Sequence, residues 1–137
     1  MASYQLLGPT NLVQDLDFVG DPIRAAGWFG MPEGLHTVAI YTNNFTGRVF
    51  IEGSLSTDPN TKDWFPIQLS TCDYIEFPLI SSAPQSMSTG DTSVIGYTFR
   101  SNILWVRAKV WRSYFTSKIT TENKDTMGSI SQIMIAY

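Results

Sequence analysis

The ten residues Ile103-Leu-Trp-Val-Arg-Ala-Lys-Val-Trp-Arg112 decide the fold class. They alternate strictly: Leu104, Val106, Ala108 and Val110 fall on one side of an extended chain, and Trp105, Arg107, Lys109 and Trp111 on the other. A period of two marks a strand, because helical spacing would scatter the apolar set around the axis. At roughly 3.3 Å per residue the stretch would run about 33 Å, long for a strand. Its aliphatic side suits a core between two sheets. Its other side, tryptophan mixed with cations, suits a contact surface or a half-covered sheet face.

Similar patterns lie on both flanks. Residues 35–42 read as a strand ended by Asn43-Asn44, and residues 47–55 as the next, with Val49, Ile51, Gly53 and Leu55 on one face. The short link between them predicts a hairpin. Turn chemistry fills residues 56–63, then residues 64–69 form a strand whose Pro66 suits a sheet edge, and residues 71–77 another. Residues 78–93 are rich in Ser, Pro, Thr and Gly and read as a long loop. Alternation returns over 94–99, residues 113–127 are polar, and residues 128–137 close as a strand that must be pinned into a sheet. Many strands and no helical pattern predict an all-β, single-domain β-sandwich, jelly-roll-like, over residues 36–137.

Residues 1–35 differ. Short strands are expected at 3–7 and 10–13, and then glycine or proline recurs every few residues, which suits neither a helix nor a long strand. Leu16, Phe18, Trp28, Phe29 and Met31 are nevertheless too apolar for a disordered tail. An extended N-terminal arm or ordered loop satisfies both facts. It would lie on a neighbouring subunit or on the chain's own core.

Composition agrees with this. Aromatic residues reach 13% and charged residues only 15%, a profile that suits β structure. A net charge of −3 provides no field for nucleic acid or anionic lipid. No apolar run nears the roughly 18 residues of a membrane span, and the first residues lack the form of a signal peptide. Cys72 stands alone, so no internal disulfide forms, and it reads as a small buried filler. Asn44-Phe-Thr46 is a chance sequon in a chain expected to stay in a reducing cytosol.

The chemical inventory is thin, and no enzyme, cofactor or metal is expected. His36 is the sole histidine, without a nucleophile turn to serve, and reads as a polar residue at a strand end. Asp15 and Asp17, like Asp58 and Asp63, are paired carboxylates of the kind that usually face water. Asp58, Asn60 and Asp63 offer hard oxygen ligands, but the loop lacks the glycine and closing glutamate of an EF-hand. The stronger signal is the four tryptophans, Trp28, Trp64, Trp105 and Trp111, with the cations Arg107, Lys109 and Arg112. Of these, Trp105, Arg107, Lys109 and Trp111 project from one face about 7 Å apart, joined by Trp28 and Phe29 of the arm. A protein interface, a face covered by the chain itself, and a platform for sugar or single-stranded nucleic acid all fit such a row.

Gly47-Arg-Val-Phe-Ile-Glu-Gly-Ser-Leu55, a turn, and Asp63-Trp-Phe-Pro-Ile67, followed by Ile103–Val110 and Gly128-Ser-Ile-Ser-Gln-Ile133, resemble a succession in small virion structural proteins of tailed bacteriophages, notably T4-like phages of marine cyanobacteria. This resemblance covers residues 36–137. It implies a non-enzymatic building block, present as a symmetric homo-oligomer on a virion assembled in the host cytoplasm. Its expected place is capsid decoration against a major capsid protein, or else the neck, tail or baseplate. The chain is also similar to discoidin-like galactose-binding jelly rolls, which share a Trp after a turn, a late Val-Arg strand and a closing strand, and this implies glycan binding as the alternative. The paired cysteines common in secreted members of that family are missing here.

Overall fold

The computed structural model describes residues 2–10, 17–69, 71–77, 92–112 and 128–137. Among these residues ten strands follow one another: β1 (Ser3–Leu7), β2 (Phe18–Val19), β3 (Ile23–Arg24), β4 (Leu35–Asn43), β5 (Gly47–Ser54), β6 (Phe65–Pro66), β7 (Ile75–Phe77), β8 (Val94–Arg100), β9 (Trp105–Trp111) and β10 (Ser129–Ala136). They form two antiparallel sheets. The first has the order β1-β10-β4-β8; the second has β2-β9-β5-β6, with β3 also on β9 and β7 also on β5.

Taking β2 with β3, and β6 with β7, as interrupted single strands makes the topology plain. The first strand pairs with the last, the second with the second-last, the third with the third-last, and the middle two with each other. Nested pairing of this kind, rolled into two layers, is a jelly roll. The chain is an all-β sandwich of that class.

The layers are sealed by the aliphatic side chains that alternation supplies. Val38 and Ile40 of β4 and Ile130, Ile133 and Ile135 of β10 are buried in one sheet; Val49 and Ile51 of β5 and Val106, Ala108 and Val110 of β9 are buried in the other. Each larger side chain contributes about 1.5–3 kcal/mol on burial. An exposed ion pair contributes about 0–1 kcal/mol, so the aliphatic seal dominates stability.

The link predicted to be a hairpin is instead a corner. β4 lies in the first sheet and β5 in the second. Asn44 takes a left-handed φ of 53°, and Phe45 is buried at the bend. With the two strands in opposite sheets, Val38 and Ile40 of β4 and Val49 and Ile51 of β5 all turn into one shared core. Other boundaries also move. The central strand starts at Trp105, and Ile103 rather than Leu104 is buried before it. Of residues 64–69 only Phe65–Pro66 is strand, although the Ile67 amide still donates to the Ile51 carbonyl (2.7 Å). Cys72, expected inside, is exposed. The expectations for residues 11–13, 78–91 and 113–127 lie outside the described residues.

The described part of residues 1–35 rests on this chain's own sandwich. β1 pairs with β10, β2 and β3 pair with β9, and Thr10 exchanges hydrogen bonds with Ile130. His36 clips down residues 25–34: the Ala26 amide donates to its Nε2 (3.2 Å), and its Nδ1 donates to the Gly34 carbonyl (2.9 Å).

Candidate interaction face

The register of β5 against β9 sets outward side chains directly opposite one another. The rungs are Arg48–Trp111, Phe50–Lys109, Glu52–Arg107 and Ser54–Trp105. The first three rungs couple a cation with a ring or an acid. The Arg48 guanidinium lies 5.2 Å from the Trp111 ring, the Lys109 ammonium 5.3 Å from Phe50, and Arg107 Nε 2.8 Å from Glu52 Oε1. Opposed pairs are the unit of sheet stabilisation, so the face is built by strand register and not by chance proximity.

Neighbouring elements widen the row. Tyr74 lies under Arg48 (4.5 Å), whose Nε also meets Glu76 Oε1 at 2.8 Å. Trp64 takes the Arg107 guanidinium on its ring at 4.2 Å. Arg24 of β3 covers both Trp28 (4.6 Å) and Trp105 (5.7 Å), and these two tryptophans meet edge to face at 5.4 Å. Stacked or paired cations present muted charge, and ring–cation contacts at such exposure hold roughly 0.5–1 kcal/mol each. The outcome is a broad amphipathic surface on which Arg24, Arg48, Arg107 and Lys109 are interleaved with aromatic rings and with Glu52 and Glu76. The outer face of the first sheet contrasts with it, bearing Thr37 and Thr98 hydroxyls 2.9 Å apart.

At one end of the row the loop of residues 55–64 folds beside the sheet. Its turns are fixed internally: the Asn60 amide donates to Asp63 Oδ2 (2.8 Å), the Lys62 amide to Asn60 Oδ1 (3.0 Å) and the Asp58 amide to Ser56 Oγ (3.3 Å). Two of the side chains considered as cation ligands, Asn60 and Asp63, thus cap backbone amides. Trp105 Nε1 donates to the Thr57 carbonyl (3.3 Å) and ties the loop to the face. Between loop and sheet lies an open cleft of about 440 Å³, with Trp64, Trp105, Arg107, Asp58, Asn60 and Pro22 on its walls.

All six residues expected to form an interface can now be placed. Trp105, Arg107, Lys109 and Trp111 share the outer face, each half-buried. Trp28 joins them through Trp105 and is 37% exposed. Phe29, at 54% exposed, turns away and stacks on Tyr137, which in turn stacks on Tyr4. Sequence reading missed the other half of the row: Arg48, Phe50 and Glu52 of β5, together with Tyr74; Trp64 is one of the four tryptophans of the sequence signal. The alternation of β5 held the signal, because the outward positions opposite a tryptophan–cation strand alternate cation, ring and acid.

The remaining polar residues serve the fold. His36 is buried against Phe99 (4.8 Å, nearly parallel), and burial pulls its pKa below the ordinary histidine range. Asp17 Oδ1 accepts the Arg112 amide at 2.8 Å; Asp15 lies outside the described residues. Among the described residues no three His, Cys, Asp or Glu side chains gather as metal ligands, and no helix is long and apolar enough to cross a membrane. Comparison with protein-family models, with curated proteins and with solved structures finds no match in any of the three.

Proposed function

We propose that this chain is a non-enzymatic structural component of a tailed-phage particle, a decoration protein docking on the capsid through its ring-and-cation face. The neck, tail and baseplate are the other places such a building block would occupy. One observation carries the reading: the aromatic surface continues beyond the second sheet. From Trp105 it passes to exposed Trp28, and exposed Phe29, Met31 and Tyr4 lie nearby around Tyr137. A stripe of this extent is the footprint of a protein partner, since interfaces favour tryptophan, tyrosine and arginine. Cations already stacked or paired lose less solvation on docking than free ones.

Phage particles assembled with Trp28→Ala/Phe29→Ala protein test this. Both side chains are exposed, so the variant folds, and incorporation into particles is lost. Undiminished incorporation overturns the proposed face. A second reading, glycan binding, is favoured by the cleft, where two tryptophans stand beside a guanidinium, a carboxylate and an amide. A sugar-dependent thermal shift abolished by Trp64→Ala, with incorporation intact, would establish that reading in place of the first.

A further inference from the structure

We infer that β8 pairs edge to edge, antiparallel, with the β8 of a second copy of this chain. The other outer strands of the sandwich are short or interrupted. β1 is bulged between Gln5 and Leu7; β2 and β3 are two residues each, separated by Gly20-Asp21-Pro22; β6 is two residues including Pro66; β7 is three. Such devices keep sheet edges from recruiting other chains. β8 has none of them. It runs seven residues in unbroken register with β4, contains no proline, and has a single charge, Arg100, at its end. Among the described residues no strand pairs with its outer side.

Ladder alternation identifies which backbone groups face outward. The Thr42 amide donates to the Ser93 carbonyl and the Ser101 amide to the Gly34 carbonyl, so the pairs of the same parity, Ile40–Ile95, Val38–Tyr97 and His36–Phe99, are the hydrogen-bonded ones. The N–H and C=O groups of Val94, Gly96, Thr98 and Arg100 therefore point away from β4. A two-fold axis at Tyr97 sets Gly96 against Thr98 and Val94 against Arg100 of the copy, and every outward group then finds a partner. Shifting the axis by one residue leaves some of them unpaired.

The side chains support the same occupant. Ile95 and Tyr97 are apolar, point inward and pack on the core, yet remain only partly buried at this edge. In this register Tyr97 stands opposite Tyr97 of the copy and Ile95 opposite its Phe99, so inward apolar side chains extend the core layer across the axis. A generic extended peptide would match the backbone without this match of side chains. The pairing joins the two first sheets into one and leaves the ring-and-cation face free, so it does not depend on the function proposed above.

Sedimentation of the full chain over a concentration series, with amide hydrogen exchange, is the test. A monomer–dimer equilibrium is expected, with the Gly96 and Thr98 amides protected only as the dimer forms. Thr98→Pro removes an outward amide that β4 does not use, and should weaken the dimer at least about tenfold while the monomer stays folded. Tyr97→Cys in a Cys72→Ser background should oxidise to a covalent dimer, because residues facing each other at a non-hydrogen-bonded position lie within disulfide reach. Ile95→Cys, off the axis, should not. A chain that stays monomeric throughout, a dimer indifferent to Thr98→Pro, or cross-linking by Ile95→Cys in preference to Tyr97→Cys would each overturn the pairing.

Discussion

Arg107 and Glu52 stand directly opposite each other on β9 and β5, and their Nε–Oε1 contact of 2.8 Å is the acid–base rung between those two strands. Glu52 is only 8% exposed, because Arg107 lies over it and Trp64 lies over Arg107. Losing one partner is therefore worse than losing both. Arg107→Leu, whose side chain still covers Glu52, is expected to cost about 2 kcal/mol by leaving that carboxylate covered and unpaired, whereas Arg107→Leu with Glu52→Leu should cost well under that. Urea denaturation of Arg107→Leu, Glu52→Leu and the double variant, read as a double-mutant cycle, checks this.

His36 gives the protein an acid-sensitive clip. Its ring is buried, accepts from Ala26 and donates to Gly34, an arrangement open only to the neutral form. Burial depresses its folded pKa below the ordinary value near 6.5. A depressed value means that the stability it contributes is complete above about pH 6.5 and lost as pH falls through the lower folded value. The denaturation midpoint should thus fall on going from pH 7 to 5. In His36→Gln, less stable at pH 7, that slope should be flatter over the same range. A parallel slope in both proteins would assign the acid sensitivity to other groups.

How far the sequence could be read follows from what alternation reports. It records which residues face in and which face out, so the Val106–Ala108–Val110 seal and the Trp105–Arg107–Lys109–Trp111 row were both legible. It does not record which strand lies beside which. The link at Asn43–Gly47 is as short for a corner as for a hairpin, and only the need to oppose the inner faces of β4 and β5 selects the corner. Likewise Phe50 and Glu52 were legible as outward residues, but their place under Lys109 and Arg107 depends on a register set by distant parts of the chain. Cys72 was misjudged because a residue type's usual burial says nothing about a position in a tight turn beside Leu69.

Two glycines with nearly equal left-handed φ values separate backbone strain from crowding. Gly128 (φ 68°) begins the approach to β10, and a Cβ there would sit 2.0 Å from the Asn44 carbonyl oxygen. Gly30 (φ 70°) has nothing within 4 Å of the same position. Gly30→Ala should cost about 1–2 kcal/mol, the penalty of the left-handed backbone alone. Gly128→Ala adds a collision with the corner between β4 and β5, and should cost several kcal/mol or prevent folding. Thermal melts of the two variants, side by side, distinguish these terms.

Tyr137 couples the sandwich to the proposed docking surface. Its ring is buried at the end of the first sheet between Tyr4 and Phe29, and its hydroxyl donates to the carbonyl of Arg24, a residue of the second sheet whose guanidinium covers Trp28 and Trp105. Removing the hydroxyl by Tyr137→Phe should cost about 1 kcal/mol. Burial raises the folded pKa of this phenol above 10, so the stability it contributes is complete below about pH 10 and lost as pH rises through the folded value. The wild-type chain should therefore lose stability in strong alkali more steeply than Tyr137→Phe. The variant should also free Arg24 to shift, altering tryptophan fluorescence at neutral pH even though no tryptophan was replaced. An unchanged emission spectrum would mean that Trp28 and Trp105 are held by their mutual contact and the Arg24 stack alone, without help from the first sheet.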